Sequence, residues 1–442
     1  MGAELTNREL TRIQTTNGLV YQIDLPTTLR LAGARNLDVQ IARERVNEAQ
    51  ANRQSAVEQF FPWIAPGVTY HRRDGVAQAV PSGVISDAHF QSYSPGVALT
   101  AQVNLGDAIY STLAAKQLVK VSEQAMAGER LVICASAAQT FFELAKAKAL
   151  IETRREAIKV SGDYQRQLHD AVSAGVAFRG DELRVQSQTE HFQLELEQAT
   201  AQRRLAGVEL AQILHLDPAI ELFPTDEALV PVSLFPTNKS LDSFVREALT
   251  TRPELKQSMA SMAALQASKK GVVYGPLIPS LGAQAFGGGL GGGPDSGPSH
   301  FAAEGDYNLG ISWRLGPGGL LDPARMKASN ARLAAAQLGD AKVKDLVTAE
   351  VVSAVVRMES IFSQIHIAER NLATATEAMR LTRERKAFGV GVVLEDIDAQ
   401  QALTRARSDY VSAVAEYDKA QFELGRAVGG FGAEKRGTET AF

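Results

Sequence analysis

Two stretches of this sequence, about 216 residues apart, follow one plan, and that duplication limits the possible fold more than any other feature. Arg35-Asn-Leu-Asp-Val39 lies over Thr251-Arg-Pro-Glu-Leu255. Each copy then runs through a helical stretch to an apolar-proline break, Phe61-Pro62-Trp63-Ile64 in one and Ile278-Pro279-Ser280-Leu281 in the other. Further on, Ala174-Gly-Val176 lies over Phe388-Gly-Val390. The shared plan is helix, strand, loop, strand, long helix, glycine turn, long helix. It predicts an N-terminal extension over 1–24, a first repeat over 25–235, a second over 241–430 and a polar tail over 431–442.

The helical parts read from composition and spacing. Residues 107–214 and 322–428 are rich in Ala, Leu, Lys, Arg and Glu, which are good helix formers, and each is broken once by a Gly-Val turn. Fifty helical residues span about 75 Å, more than an ordinary globular helix needs. Leu403, Ala406, Tyr410, Ala413, Tyr417, Ala420 and Leu424 keep a strict three-four spacing, and five of the seven matching positions in the first repeat are apolar. Alanine at alternate seam positions suits a close antiparallel helix pair. The glycines at the turns, Gly175, Gly180, Gly389 and Gly391, permit the reversal.

The strands carry the functional information. Val97, Leu99, Ala101, Val103 and Leu105 alternate with Ala98, Thr100, Gln102 and Asn104. Tyr307, Leu309, Ile311, Trp313 and Leu315 alternate with Asn308, Gly310, Ser312 and Arg314. Weaker strands precede them, giving predicted pairs at about 64–71 with 96–105 and 280–287 with 306–315. The intervening segments, 71–92 and 287–300, read as turn-rich loops. The Gly287–Gly293 run among them lacks the lysine and hydroxyl of a phosphate loop and reads as a flexible surface loop.

Nine to eleven tilted residues are what a membrane-spanning strand needs, and an apolar outer face with a polar inner face fits a water-filled barrel. A soluble sheet packed on one face is the competing reading. It needs a cover for the apolar face, whereas the helices already spend their apolar stripes on one another. Four strands cannot close a barrel, and open edges are not tolerated in lipid, so the membrane reading requires several copies. On that reading Val97, Leu99, Val103, Ile311, Trp313 and Leu315 face lipid, while Thr100, Gln102, Asn104, Ser312 and Arg314 face the lumen.

Composition narrows the alternatives. Lys and Arg number 46 against 50 Asp and Glu, a net charge of −4, which argues against a nucleic-acid partner. The single cysteine, Cys134, excludes an intramolecular disulfide framework and a multi-cysteine zinc site, and it reads as a packing residue. No apolar run is long enough for a transmembrane helix. The seven histidines form no metal-ligand spacing and no nucleophile elbow is present, so neither cofactor nor enzyme is expected. The first residues carry no apolar core or cleavage site, so no signal peptide is read in this sequence.

Together these features resemble the TolC-type outer-membrane efflux protein family. The resemblance runs from about Leu25 to Gly430. It rests on the duplicated opening motif Leu29-Arg-Leu-Ala-Gly-Ala-Arg-Asn-Leu-Asp38, the apolar-Pro break, the alternating strand that leads into a long helix, and the Gly-Val turn followed by acid-apolar-x-apolar at 175–185 and 389–399. The resemblance implies a mainly α fold with a small β part and two structural repeats. It implies a homotrimer in which a 12-stranded β-barrel in the outer membrane continues as a 12-helix α-barrel in the periplasm. The implied function is an exit duct for efflux or type I secretion, joined to an inner-membrane pump through a periplasmic adaptor. A soluble periplasmic or intracellular coiled-coil interaction protein is the alternative.

The resemblance also assigns roles. The hairpin tips form the end away from the membrane and meet the adaptor, with Gly175, Val176, Gly389 and Val390 at the contact. Glu395 and Asp398 fall where the family carries two inward acidic residues at a tunnel constriction, beside Asp181. Helix capping is the plainer role for acids in a first turn, and it applies to Asp396, Asp181 and Glu182 as well. The family's arginine in the second turn is Gly391 here, so its link is either missing or replaced by Lys386 reaching Asp181.

Overall fold

A computed structural model describes residues 11–15, 18–78, 81–225, 228–236, 239–293, 301–388 and 392–431. The chain is mainly helical with a small β part and carries the two expected repeats. In the first, β1 (Thr11–Thr15) and β2 (Gly18–Ile23) precede α1 (Leu25–Arg35), α2 (Leu37–Glu58), β3 (Trp63–Gln78), β4 (Ile85–Asn104), α3 (Leu105–Ser173), α4 (Arg179–Ile213) and β5 (Glu221–Pro224). The second runs α5 (Leu241–Thr251), α6 (Pro253–Tyr274), β6 (Ser280–Gly293), β7 (Ala302–Ser312), α7 (Pro323–Ala387) and α8 (Val393–Val428).

Contacts group the described residues into two compact units, each drawing on both repeats. One takes the residues up to Glu44, Gln124–Lys256 and those from Lys342; the other takes Arg45–Glu123 and Gln257–Ala341.

Among the described residues the first unit contains two large apolar cores and a third, small one at the hairpin tips. Tyr21, Ile23, Leu31, Phe141, Phe142, Leu144, Leu210, Leu214, Leu222 and Phe422 form one large core, and Phe244, Leu255, Val347, Val351, Met358, Tyr417 and Leu424 form the other. The seam positions on α8 and their counterparts on α4 are all buried or half-buried, as the heptad spacing predicts. Thr189 and Arg203 are the two polar positions, and Arg203 is the charged one. Its guanidinium stacks 4.0 Å over the Phe223 ring and pairs with Glu221, so the charge is carried at a core position. The segment read as an N-terminal extension supplies β1 and β2, which pair antiparallel with each other while β2 pairs parallel with β5.

The duplicated opening motif has a physical reason. Asn36 separates α1 from α2, accepts hydrogen bonds from the Asp38 and Val39 amides, and donates its side-chain amide to the Ile213 carbonyl at the end of α4. Its counterpart Arg252 separates α5 from α6 and donates to the carbonyls of Arg426 and Ala427 at the end of α8. Both residues therefore fasten the start of their repeat to its last helix, satisfying carbonyls that a helix end leaves free. Arg252 is buried and also meets Glu254 and Glu350, so its charge is fully engaged.

The second unit holds a four-stranded antiparallel sheet in the order β3-β4-β6-β7. Its strands are longer than the sequence reading. β3 and β4 stay paired from Trp63↔Thr100 to Gln78↔Ile85, through residues read as loop. The glycine run is also strand, not loop: along it β6 stays paired with β4 as far as Gly293 and with β7 as far as Leu290. Glycine is a poor strand former, but here aromatic rings occupy the space its missing side chains leave. The Phe286 ring lies over Gly96 and Gly288, Phe301 over Gly289 and Gly291, and Tyr93 over Gly291.

Candidate functional site: the sheet faces and the hairpin tips

The strand register fixes two faces. Residues directly opposite on antiparallel strands share a face, so Ile64, Leu99, Ala285 and Tyr307 form one row across all four strands. Neighbouring rows on that face are Ala101, Ala283 and Leu309, then Val103, Leu281 and Ile311. On the opposite face Trp63, Thr100, Gln284 and Asn308 form a row, and Asn104, Ser280 and Ser312 form another. Gln102 shares its row with Gly282 and Gly310, and Glu304 and Asp306 bring carboxylates to the same face. One face is thus continuously apolar across both repeats, and the other is mainly polar, with Trp63, Phe286 and Leu290 among its large apolar side chains.

The apolar band has aromatic residues at each end. Tyr70 pairs with Tyr93, which pairs with Gly291, beneath the Phe301 ring. Beyond them on the same face Arg72 pairs with Asp74, which also lies within hydrogen-bond distance of His89, so the apolar character stops there. At the other end stands Trp313, just past β7. From Tyr93 to Val103 the band spans about 33 Å along the strand, or about 25 Å at a tilt of about 40°, the height of a bilayer's apolar layer as barrels present it. The sequence places Tyr70 on the apolar face of its strand but does not single out Tyr93 and Phe301, because the alignment of the three depends on hairpin register.

The face residues differ in exposure. Val97, Leu99 and Ile311 are exposed in the single chain. Val103 is not: at 5 % exposure it is covered by the chain's own residues at the junction with α3, which corrects its expected place against lipid. β7 ends at Ser312, so the alternation read through Trp313, Arg314 and Leu315 runs past the strand. There the Trp313 indole N–H donates to the Leu277 carbonyl. Among the described residues the outer edges of β3 and β7 have no strand partner.

The hairpin tips lie within the first unit. α3 and α4 are joined through Gly175, whose φ of +77° is the left-handed geometry that glycine adopts without strain. Val176 and Phe178 project into solvent, 79 % and 72 % exposed, and Phe388 does so at 83 % in the second turn. Gly389, Val390 and Gly391 lie outside the described residues. Tyr164, Leu168 and Val185 form a small core at the tips with Ala177, Val393 and Ile397, joining the two hairpins.

Lys386 reaches into this core, but toward a different carboxylate from the one expected. Its ammonium lies 3.3 Å from the Tyr164 ring centroid and 3.6 Å from Asp396 Oδ2. Asp181 instead pairs with Arg184 on its own helix. Asp396 is buried, and its Oδ1 has no hydrogen-bond partner among the described residues. Burial, then the charges of Asp396 and Asp181, push the Tyr164 phenol up to about 12. Burial lowers the Lys386 pKa against the opposing pull of Asp396. Lys386 therefore couples the second hairpin to the first through the Tyr164 ring, a contact that no spacing rule signals because the two residues sit in different repeats.

The remaining tip acids divide by environment. Glu395 pairs with Arg385 at 3.2 Å, and Glu182 accepts from or donates to His169 Nδ1 at 2.7 Å according to protonation, raising the histidine's pKa. Asp398 is exposed, with no ion-pair partner among the described residues. Asp181 and Glu182 sit in the first turn of α4, and Glu395 and Asp396 in that of α8, where the helix dipole favours them.

The fold is shared with solved outer-membrane channels. The outer-membrane channel OprN matches at 19 % identity and a TM-score of 0.75, over 92 % of this chain and 90 % of that one. The CmeC outer membrane channel of Campylobacter jejuni matches at 18 % and 0.73, over 92 % and 86 %. The open state of the MtrE outer membrane channel of Neisseria gonorrhoeae matches at 19 % and 0.72, over 94 % and 91 %. No curated protein matches the chain in sequence. The model of the outer membrane efflux protein family matches both halves, residues 28–214 and 244–430, and the chain belongs to that family.

Proposed function

We propose that three copies of this chain form an outer-membrane exit duct for efflux or type I secretion, coupled to an inner-membrane pump through a periplasmic adaptor. The observation that carries the reading is the four-stranded sheet, with one continuous apolar face, aromatic residues at both ends of it, and two edges without a strand partner among the described residues. Lipid supplies the missing cover for the apolar face, and neighbouring copies supply the missing strands. Three copies give twelve strands, and closure removes every edge from the bilayer.

In that assembly Val97, Leu99 and Ile311 contact lipid, and Trp313 and Leu315 lie at the band's lower rim. Thr100, Gln102, Asn104 and Ser312 line the water-filled lumen, with Arg314 at its lower end. Val103 packs inside the chain. The exposed apolar residues of the tips, Val176 and Phe178 in one turn and Phe388 in the other, offer a contact for the adaptor, along with Gly175, Gly389 and Val390. Glu395 and Asp398, three residues apart on one helical face, bring six carboxylates to a narrow ring when three chains meet. Lys386, resting on Tyr164 and paired with Asp396, clasps the two hairpins beside that ring, with Asp181 adding to the local negative charge.

Conductance across a planar bilayer tests this reading. The reconstituted protein should form cation-preferring channels that trivalent cations block. The double variant Glu395→Ala with Asp398→Ala should lose part of that preference and most of the block. Unchanged selectivity would leave Glu395 only its place in the first turn of α8 and its pair with Arg385, and an absence of channels would refute the duct itself.

A further inference from the structure

Between β5 and α5, residues 228–236 contain no charged residue and are held to α8 by side chains, with no strand partner among the described residues. Asp418 Oδ1 accepts the Val232 amide at 2.7 Å, and Gln421 Oε1 accepts the Phe235 amide at 2.9 Å. Gln421 in turn donates to the Tyr417 hydroxyl. Asp418 and Gln421 are completely buried, and Leu229, Val232 and Leu234 of the segment pack against the neighbouring core. The second carboxyl oxygen of Asp418 has no hydrogen-bond partner among the described residues.

A buried carboxylate with one oxygen unsatisfied is unfavourable unless a cation balances it. The charged groups on the surrounding elements are engaged elsewhere. On α3, Glu143 pairs with Lys146 and Lys419, and Lys148 donates to the Pro224 carbonyl. Arg203 of α4 pairs with Glu221, and Arg357 of α7 pairs with Glu423. Arg252, after α5, meets Glu254 and Glu350, while Glu416 on α8 itself pairs with Lys419. Among the described residues none of them lies within ion-pair distance of Asp418.

We propose that Asp418 is a proton-controlled latch: its neutral form holds the inter-repeat segment against α8, and its ionisation favours lifting the segment so that the carboxylate reaches water. Burial pushes the carboxyl up to about 7, against the opposing pull of the Val232 amide. When the segment lifts and water enters, the carboxyl returns toward the ordinary aspartate value of about 3.9. Between those values the latched state holds more protons than the lifted one. The latch is therefore strongest in acid, weakens as pH rises through that window, and changes no further above about 7. One linked proton makes the lifting equilibrium rise about tenfold per pH unit within the window.

Hydrogen exchange on the full-length protein in detergent micelles tests this. The peptide containing Val232 and Phe235 is followed in the wild type and in Asp418→Asn at matched pH, so that intrinsic exchange chemistry cancels in the ratio. The ratio of wild-type to variant exchange should rise about tenfold per unit from about pH 5 to 7 and then level off; a ratio independent of pH would overturn the proposal. Infrared spectra of the wild type labelled with 13C-aspartate give a readout that does not depend on the variant folding. A neutral carboxylic-acid band should persist at pH 6 and disappear through about pH 7. Loss of every such band below about pH 5, the range of ordinary aspartates, would overturn the proposal independently.

Discussion

Leu99→Arg places a charge almost at the middle of the apolar band. The band runs from Tyr93 to Val103, so its centre falls at Ala98, and Leu99 lies one residue away. That is about 2.5 Å along the membrane normal at the strand tilt used above. A guanidinium on the lipid face near the midplane costs about 2–4 kcal/mol. Each chain should therefore lose about 30- to 700-fold in its folded-to-unfolded ratio, and three copies in one barrel compound the loss. Thr100→Arg is the matched control. It moves one residue along the same strand but onto the polar face, where water solvates the charge and the change should stay within about 0.5 kcal/mol. The assay is the fraction of protease-protected protein folded into lipid vesicles across a urea series. Leu99→Arg should shift the midpoint to much lower urea, and Thr100→Arg should leave it nearly unchanged. Equal shifts, or a larger one for Thr100→Arg, would refute the assignment of the faces.

Other outcomes follow from particular contacts. Lys386→Met removes the cation from the Tyr164 ring, a contact of about 0.5–2 kcal/mol, and leaves Asp396 without its ion pair. Its single-channel conductance should exceed that of the wild type, and an identical conductance would remove Lys386 from the clasp. Gly96→Val puts a Cβ 2.4 Å from the Phe286 ring and 2.8 Å from the Gly287 carbonyl, so its thermal stability should fall by about 1–3 kcal/mol, measured as loss of folded protein on heating in detergent. In a Cys134→Ser background, cysteines at Thr100 and Gln102 should react with a water-soluble thiol reagent in membranes, while cysteines at Val97 and Leu99 should stay protected.

How much of this could be read from the sequence depended on whether the signal was local. The heptad on α8 and the alternation on β4 are set by neighbours three, four or two residues away, so the sequence displays them directly. The duplicated Asn36 and Arg252 motifs were visible as well, although their role depends on the carbonyls of Ile213, Arg426 and Ala427, each more than 170 residues away. The glycine run of β6 misled for a physical reason. Intrinsic propensity opposes a strand there, and the rings of Phe286, Phe301 and Tyr93 that offset it come from other parts of the sheet. Val103 kept its parity but lost its exposure, because alternation reports which face a residue takes and not what the adjoining elements already cover. Lys386 followed the same logic: its charge called for a carboxylate, and only the packing of Tyr164 between hairpins selected Asp396 over Asp181.

The central claim is that this sheet is one third of a closed barrel. Native mass measurement of the protein in mild detergent tests it most directly, repeated after the detergent is withdrawn. The account predicts a particle of three chains that aggregates or precipitates without detergent, because the apolar face then has no cover. A monodisperse single chain that stays in plain buffer would contradict it.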